Sequence, residues 1–225
     1  MAATTALKIR QTGVLAGTAP IIRVTICAMA SNTTREKNRL SADDWLLAAL
    51  DEIAGHGVHA LAVEPLARRL GVTKGSFYWH FDSRDALLKG AMKLWEKQDQ
   101  ETLFDVVEPI QDPRERLRRL FTRVGEDLRT HIIYGELLKA LDHDLVKPVM
   151  TRVIKRRLDF LGRAFRQIGL DRLSAQHRAL LCYSVYAGFL QMSLQLDLKH
   201  FSNHVELDSF IGHTIDTLIP EQGAE

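Results

Sequence analysis

Apolar residues recur at helical spacing along most of the chain, and we find no alternating strand pattern and no internal repeat. The first apolar stripe predicts a helix over residues 41–56. Its members are Leu46, Ala49, Leu50, Ile53 and Ala54. Ser41 and Asp44 precede the stripe at the spacing of a capping box, in which each side chain bonds the other residue's backbone N–H. This helix is predicted to be the scaffold on which the next segment packs.

Residues 62–81 predict two short helices joined by a tight turn. The apolar face of the first helix consists of Val63, Leu66, Ala67 and Leu70. Gly71 follows, and a glycine can adopt the left-handed backbone conformation that ends a helix. Thr73 is placed to cap the second helix through its hydroxyl. Phe77 and Phe81 are four residues apart and therefore share the buried face of that helix.

The other side chains of the second helix are small, polar, cationic or aromatic. They are Lys74, Gly75, Ser76, Tyr78, Trp79 and His80. A helix fits the major groove of DNA with its N-terminal residues at base edges and its flanks on phosphates. Lys74 and Ser76 supply donors, Gly75 permits close backbone approach, and Tyr78 and His80 can donate to phosphate oxygens. The alternative is that the aromatic residues are half-buried core beneath a neighbouring helix, because helical hairpins are a common packing unit.

The run GVTKGSFYWHFDSRDALL, preceded by LAVEPLARRL, resembles the N-terminal domain of TetR-family (tetracycline-repressor-like) transcriptional regulators. The resemblance covers roughly residues 39–98. It implies an all-helical, homodimeric, ligand-responsive repressor that binds a palindromic DNA operator. The DNA contacts it implies are Thr73, Lys74, Ser76, Tyr78, Trp79, His80 and, on a phosphate, Lys89. Ala62 stands where the family usually has a Ser or Thr helix cap, a loss of about 1 kcal/mol.

A long fourth helix is predicted over residues 84–107, with Asp82 or Ser83 as its cap. Its apolar stripe is Leu87, Leu88, Ala91, Leu94 and Trp95. At about 1.5 Å per residue it spans more than roughly 30 Å, enough to connect two domains. After Pro113 further helices are predicted at about 114–131, 134–146, 149–169, 174–198 and 204–218.

The predicted fold class is therefore all-α, with a three-helix helix-turn-helix DNA-binding domain joined by a long helix to a C-terminal domain for ligand binding and dimerisation. The predicted boundaries are 36–98 and 99–225. Residues 1–35 are predicted to be a disordered extension, and Met29 is an alternative start of the natural chain.

Residues 175–198 are apolar on more than one face, which is typical of a subunit interface. The resemblance implies that this helix and the one at 204–218 pair with their copies in a four-helix bundle. The predicted interface residues are Tyr186, Ala187, Gly188 and Phe210, of which the two small residues permit close helix approach. An ordinary core helix in a monomer is the alternative.

The resemblance also implies a small-molecule pocket in the C-terminal domain, and an apolar or aromatic effector is the default expectation. Candidate lining residues are Phe104, Phe121, Tyr134, Phe160 and Tyr183. The same residue types are common in hydrophobic cores, so the competing interpretation is that these residues form an ordinary core without a ligand site.

Composition narrows the function classes. The net charge of +2 does not by itself indicate nucleic acid, although residues 1–98 hold 13 Lys and Arg against 9 Asp and Glu. Two cysteines, Cys27 and Cys182, imply no disulfide framework and fit the cytoplasm. No stretch approaches the roughly 20 apolar residues of a membrane helix, so no membrane partner is predicted.

We find no phosphate-binding glycine loop, nucleophile elbow, metal triad or convincing carboxylate pair, so the prediction is no enzyme, no cofactor and no metal site. The remaining alternative to a regulator is a helical protein-interaction module that has lost DNA binding. The combination of Lys74, Tyr78 and His80 on one exposed face argues against that alternative.

Overall fold

The computed structural model describes residues 40–126, 128–195 and 204–219, which belong to one compact unit. Within these residues every regular secondary-structure element is a helix. The α-helices are α1 (Ala42–His56), α2 (Val63–Arg69), α3 (Lys74–Phe77), α4 (Arg84–Asp99), α5 (Asp105–Val107), α6 (Pro113–Glu126), α7 (Leu128–Lys139), α8 (Val146–Ile168), α9 (Arg172–Gln195) and α10 (His204–Leu218). Val58–Ala60 forms a 3₁₀ turn and Gln100–Phe104 a π-helical turn. The all-α prediction is confirmed, whereas the predictions for residues 1–35 lie outside the described residues.

The start of α1 follows the predicted capping box. The backbone N–H of Ser41 donates to Asp44 Oδ2 (2.7 Å), and that of Asp44 donates to Ser41 Oγ (3.2 Å). The Ser41 hydroxyl also donates to Asp44 Oδ2 (2.7 Å), and this bond together with that from the Ser41 N–H holds the pKa of Asp44 below its usual value. The predicted apolar stripe was incomplete, because Trp45 and Ala48 are buried while Leu46 is only half-buried. The core face of α1 is therefore rotated slightly from the one predicted.

Two apolar clusters hold the helices together. The first cluster joins α1–α4 to α7 and to parts of α8 and α9, around Trp45, Phe77, Trp95 and Tyr134. The second lies between the π turn, α6, α8, α9 and α10. Because the first cluster is continuous from α1 into α7, the N-terminal helices do not pack separately from the rest. The predicted domain boundary after residue 98 falls in the last turn of α4, and this two-domain division stays a prediction.

The rod predicted over residues 84–107 is present but is not uniform. Ser83, rather than Asp82, caps it by accepting a hydrogen bond from the Ala86 N–H (3.1 Å). After Asp99 the helix widens into the π turn and then returns to α-helical geometry as α5. Such π turns mark an inserted residue and are frequent at functional sites. Sequence periodicity did not indicate this insertion.

The break predicted between residues 131 and 134 is wrong, because α7 runs without interruption from Leu128 to Lys139. No glycine or proline lies there to stop the helix, and Ile133 and Tyr134 are both buried. The chain turns instead at residues 140–145, where Asp142 and Asp144 are turn-forming residue types.

The remaining helix boundaries shift by a few residues. Helix α8 begins at Val146 rather than at 149, since the early Pro148 is tolerated in a first turn. Gly169 ends α8 with a positive φ of 114°, as a helix stop requires. Asp171, rather than Ser174, begins α9 by accepting hydrogen bonds from the N–H groups of Leu173 (2.8 Å) and Ser174 (3.1 Å).

Across the described ranges, no helix combines the length and apolar character needed to cross a membrane.

Candidate nucleic-acid interface and cavity

The turn between α2 and α3 has the predicted glycine geometry. Gly71 adopts a φ of 70°, and its N–H donates to the Arg68 carbonyl (3.1 Å). The Val72 N–H then bonds back to the Ala67 carbonyl (3.0 Å), which closes the end of α2. A side chain at this left-handed position would cost roughly 1–2 kcal/mol. The angle between the two short helices therefore depends on a glycine at this position.

Thr73 lies at the predicted cap of α3, but its hydroxyl makes no capping hydrogen bond. The backbone closes the turn instead, with the Ser76 N–H donating to the Thr73 carbonyl (3.0 Å). Helix α3 is a single turn, and the N–H groups of His80 and Phe81 both continue it by donating to the Phe77 carbonyl (2.9 and 3.0 Å).

Exposure separates the two sides of this segment. Phe77 is fully buried, whereas Tyr78 is 54% exposed and Trp79 is 78% exposed. The half-buried core interpretation therefore does not hold for Tyr78 and Trp79, although it describes His80. Among the other predicted contacts, those exposed are Thr73, Lys74, Gly75 and Lys89, and Ser76 is half-buried. The predicted side chains thus form a largely solvent-facing surface above one buried phenylalanine.

An ion pair within this surface was missed. Lys74 Nζ lies 2.7 Å from Glu64 Oε1, and both side chains are largely exposed. The hydrogen bond from Lys74 lowers the pKa of Glu64. The two residues are ten apart and on different helices, so helical periodicity carried no signal for the pair. The Glu64 carboxylate therefore pairs with the Lys74 ammonium group and adds a negative charge to the same surface.

Two arginines position the surface through contacts that sequence could not show. Arg84 donates to the carbonyls of Leu61 (2.8 Å) and Val58 (2.9 Å), which fixes the loop before α2. Arg69 pairs with Glu52 (2.6 Å), which ties the end of α2 to α1. The Arg84 contacts, with backbone acceptors, leave no trace in residue type or spacing.

A second feature is a cavity of about 50 Å³ in the C-terminal half, with walls from the π turn, α6, α7, α8 and α9. Of the predicted lining residues, Phe104, Phe121 and Tyr183 do line it. Tyr134 and Phe160 lie behind the wall, where Tyr134 bonds the Tyr183 hydroxyl (2.6 Å) and Phe160 packs edge-on against Phe104 (5.2 Å between centroids).

The polar residues that contribute to the cavity wall were missed, although the surface they expose in the cavity is apolar. They are His131, Arg157 and Tyr186, with the sulfur-bearing Cys182 nearby. His131 Nδ1 lies 2.7 Å from the Tyr186 hydroxyl. Burial raises the pKa of Tyr186 to about 12, and that of Cys182 also to about 12, so both are neutral near pH 7. The charged group of this wall is therefore Arg157.

The Arg157 guanidinium contacts two tyrosine rings and one carboxylate. Its guanidinium carbon lies 4.0 Å from the Tyr134 ring centroid and 5.3 Å from that of Tyr186. Nη2 donates to Asp99 Oδ1 (2.5 Å), and both residues are buried. Burial alone lowers the pKa of Arg157, but Tyr186 and Asp99 raise it by more, so the net shift is upward and the group stays charged.

The Arg157–Asp99 pair is the inner end of a row of ion pairs between α8 and α4. Arg152 Nη2 lies 2.6 Å from Glu96 Oε2. Arg156 reaches both acids, at 3.3 Å from Asp99 and 3.6 Å from Glu96. The hydrogen bond from Arg152 lowers the pKa of Glu96. Helix α4 is thereby tied to α8 just before the π turn.

The outer surface of α9 carries apolar side chains. Leu180 is 53% exposed and Leu181 49% exposed, and the backbone at Gly188 is open. Ala187 and Gly188, two of the predicted interface residues, lie on the same helix. The structure places Tyr186 in the cavity wall instead, and Phe210 stacks on Phe189 across α9 and α10 (4.8 Å).

Comparison with known proteins gives a match in the N-terminal part of the chain. Residues 46–91 match the profile of "Bacterial regulatory proteins, tetR family". An uncharacterized HTH-type transcriptional regulator of Bacillus subtilis (strain 168), YerO, is 30% identical over 80 residues, which is 35% of this chain. The aligned stretch spans 28% of that relative's length.

Solved structures match over most of the chain. A transcriptional regulator from Rhodococcus sp. Rha1 aligns with a TM-score of 0.68 at 17% identity, covering 80% of this chain and 96% of its own. AibR, whose structure is in complex with isovaleryl coenzyme A and operator DNA, aligns with a TM-score of 0.63 at 20% identity, covering 80% and 98%. At these identities the comparison shows a shared fold.

Proposed function

We propose that the chain, whose residues 46–91 match the TetR-family profile, is a homodimeric, sequence-specific DNA-binding transcriptional regulator. It acts in the cytoplasm as a repressor released by a small molecule. The observation that carries this proposal is the exposed surface of Lys74, Tyr78 and Trp79 above the buried Phe77, inside the matched region. The proposed DNA-binding part is residues 36–98, and residues 99–225 bind the effector and the second subunit. No enzymatic activity is part of the proposal.

The side chains of this surface divide into two roles. Lys74 and Ser76, with Thr73 before them, lie at the start of α3, where residues reach base edges in a major groove. Tyr78 and His80 follow α3 and would donate to phosphates, which position the protein without reading sequence. Lys89, exposed on α4, supplies another phosphate contact. In a dimer, two copies would enter successive major grooves about 34–36 Å apart on a palindrome.

The cavity is the proposed effector site, because Leu103 and Phe104 of the π turn that continues α4 form part of its wall. AibR, which shares this fold, has been crystallised in complex with isovaleryl coenzyme A and operator DNA, and this supports a regulator with both kinds of partner. A ligand that prefers one position of α4 would shift the spacing of the two DNA-binding surfaces and lower operator affinity by its differential affinity for the two states.

The proposal is tested with DNA from the protein's own upstream region, by fluorescence anisotropy at two salt concentrations. We expect tight, salt-sensitive binding to one fragment. Tyr78→Ala should weaken binding about tenfold on every sequence, as loss of a phosphate contact does. Lys74→Ala should instead change the ranking of operator variants, because a base contact discriminates by roughly 1–3 kcal/mol.

Tyr78→Phe is the matched control, since it keeps the ring and removes only the hydroxyl donor. It should reproduce most of the loss seen with Tyr78→Ala. Salt-independent binding, or equal effects of the Tyr78 and Lys74 changes on all sequences, would contradict the assigned roles. Absence of specific binding to any upstream fragment would favour a protein-interaction module.

Glu64→Gln is expected to tighten DNA binding by about two- to fivefold, because it frees Lys74 from its ion pair and removes a negative charge near the phosphates. The measurement is the dissociation constant for operator and for random DNA, at low and at physiological salt. The gain should shrink at higher salt, since exposed charges are then screened.

Glu115→Gln is the control for this change. Glu115 is likewise an exposed acid in the first turn of a helix, but it belongs to α6. Its replacement alters the net charge equally and should leave DNA affinity near that of the wild type. A Glu64→Gln protein that binds more weakly than wild type would show that Glu64 orients Lys74 productively rather than competing for it.

A further inference from the structure

We propose that the effector is a small carboxylic acid whose carboxylate binds Arg157 in competition with Asp99, while its apolar part fills the cavity beside the π turn. This inference rests on the proposed function, because it names the chemistry of the ligand and the ion pair through which that ligand acts on α4. It is carried by the placement of one buried guanidinium between the cavity and the end of α4.

Arg157 has hydrogen-bonding capacity left for a second acid. The residue is only 6% exposed and lines the cavity, yet its Nε has no hydrogen-bond partner among the described residues. A guanidinium offers five N–H donors in a planar fork that matches a carboxylate. A buried donor without an acceptor is costly, so a ligand that supplies the acceptor gains that energy on binding.

The local charge balance also favours an acid. In the described row of ion pairs, three arginines face two carboxylates, those of Glu96 and Asp99. One positive charge is therefore in surplus, and one ligand carboxylate would balance it. If the ligand takes Arg157, Asp99 keeps Arg156 at 3.3 Å, so no buried carboxylate is left without a cation. Replacing Asp99 by a ligand carboxylate as the partner of Arg157 costs much less free energy than leaving a buried charge without any partner.

The rest of the cavity is suited to a small apolar group. Leu103, Phe104, Phe121 and Leu161 supply an aliphatic and aromatic wall. The volume of about 50 Å³ holds only a few water molecules at roughly 10–15 Å³ each. An apolar cavity of about 150 Å³ holds benzene. The present space therefore takes a short alkyl group as it stands, whereas a ring, or contact of the carboxylate with Arg157, requires the walls to move.

The same geometry links the ligand to the DNA-binding surface. Asp99 is the last residue of α4, and Leu103 and Phe104 belong to the π turn that follows it. A carboxylate at Arg157 loosens the tie between α8 and α4, and an apolar group against Phe104 presses on the π turn. Both contacts act on the C-terminal end of α4, the helix that carries Lys89 in its second turn.

The test is isothermal titration calorimetry on the full chain without DNA, using propanoate, butanoate and hexanoate, each beside its neutral amide. We expect the acids to bind about tenfold or more tightly than the amides, as charge-assisted hydrogen bonds require. Arg157→Gln should abolish the difference between acid and amide. Equal binding of the two series, or no binding by any of the acids, overturns the proposal.

Asp99→Asn should change the affinity for acids in the opposite direction from Arg157→Gln. It removes the competing carboxylate, so the acids should bind several-fold more tightly than to the wild type, even though the fold is less stable. Glu96→Gln is the matched control, because Glu96 pairs with Arg152 and Arg156 but not with Arg157. It removes one negative charge from the same row without freeing Arg157, so it should tighten acid binding clearly less than Asp99→Asn does. Weaker acid binding in Asp99→Asn would show that Asp99 supports the site instead of competing for it, and would overturn the proposal.

Anisotropy with operator DNA separates this inference from the proposed function. Acid binding in a protein that binds no DNA would overturn the regulator and leave the carboxylate site standing. Specific DNA binding without discrimination between acid and amide would overturn the carboxylate site alone.

Discussion

Leu180→Glu should lower operator affinity by about 10²- to 10⁴-fold, because it prevents dimerisation and each half-operator is then bound by a single surface. Leu180 lies half-exposed on α9 next to the exposed Leu181, on the helix proposed to face the second subunit. A carboxylate buried in such an interface without a partner is strongly unfavourable. The measurements are mass by light scattering and operator affinity by anisotropy.

Leu141→Glu is the matched control, since it places the same charge at another partly exposed leucine, in the turn after α7. It should remain dimeric and bind the operator like the wild type. A monomeric wild type at micromolar concentration would contradict the dimer itself. A Leu180→Glu protein that stays dimeric would place the interface on another surface.

Several local features could be predicted from the sequence because each depends on residues that lie close together in the chain. A capping box, a glycine stop and a buried phenylalanine each depend on residues within a few positions, and Ser41, Gly71 and Phe77 behave as their spacing predicts. The pair of Lys74 and Glu64 depends instead on the angle between α2 and α3. Side-chain pairing across helices follows from tertiary geometry, which helical periodicity does not contain.

The cavity was predicted only on its aromatic side. Phe104, Phe121 and Tyr183 were chosen by residue type, and that choice passed over the buried cation. A signal for Arg157 was available, because it lies four residues after the buried Val153 and three before the buried Phe160. An arginine in phase with a core stripe is a candidate for a buried ion pair or a ligand contact. Its partner, Asp99, is likewise fully buried in α4.

The break in the rod could not be predicted in the same way. The π turn at Gln100–Phe104 contains no glycine or proline, and the Thr102 hydroxyl bonds back to the Gln98 carbonyl (2.8 Å). Its position coincides with the packing of Leu103 and Phe104 into the second apolar cluster. The inserted residue is thus an outcome of packing between distant segments.

Phe77→Ala should destabilise the fold by about 3–5 kcal/mol and remove specific DNA binding. Phe77 is fully buried, packs edge-on against Trp45 (5.4 Å between centroids) and stacks on Phe81 (5.7 Å). A single helical turn such as α3 has no stability of its own, so this ring is what holds Lys74 and Tyr78 in place. For a chain of this size the expected fall in Tm is roughly 6–20 °C.

Phe77→Leu is the control, since it refills most of the volume and should cost only about 1–2 kcal/mol. It should keep operator binding measurable at temperatures where Phe77→Ala has lost it. If Phe77→Ala melts like the wild type but no longer binds DNA, the ring acts at the DNA surface itself, contrary to its burial. If it loses stability but binds normally below its Tm, α3 is positioned by the Gly71 turn and the loop contacts of Arg84 without the help of this ring.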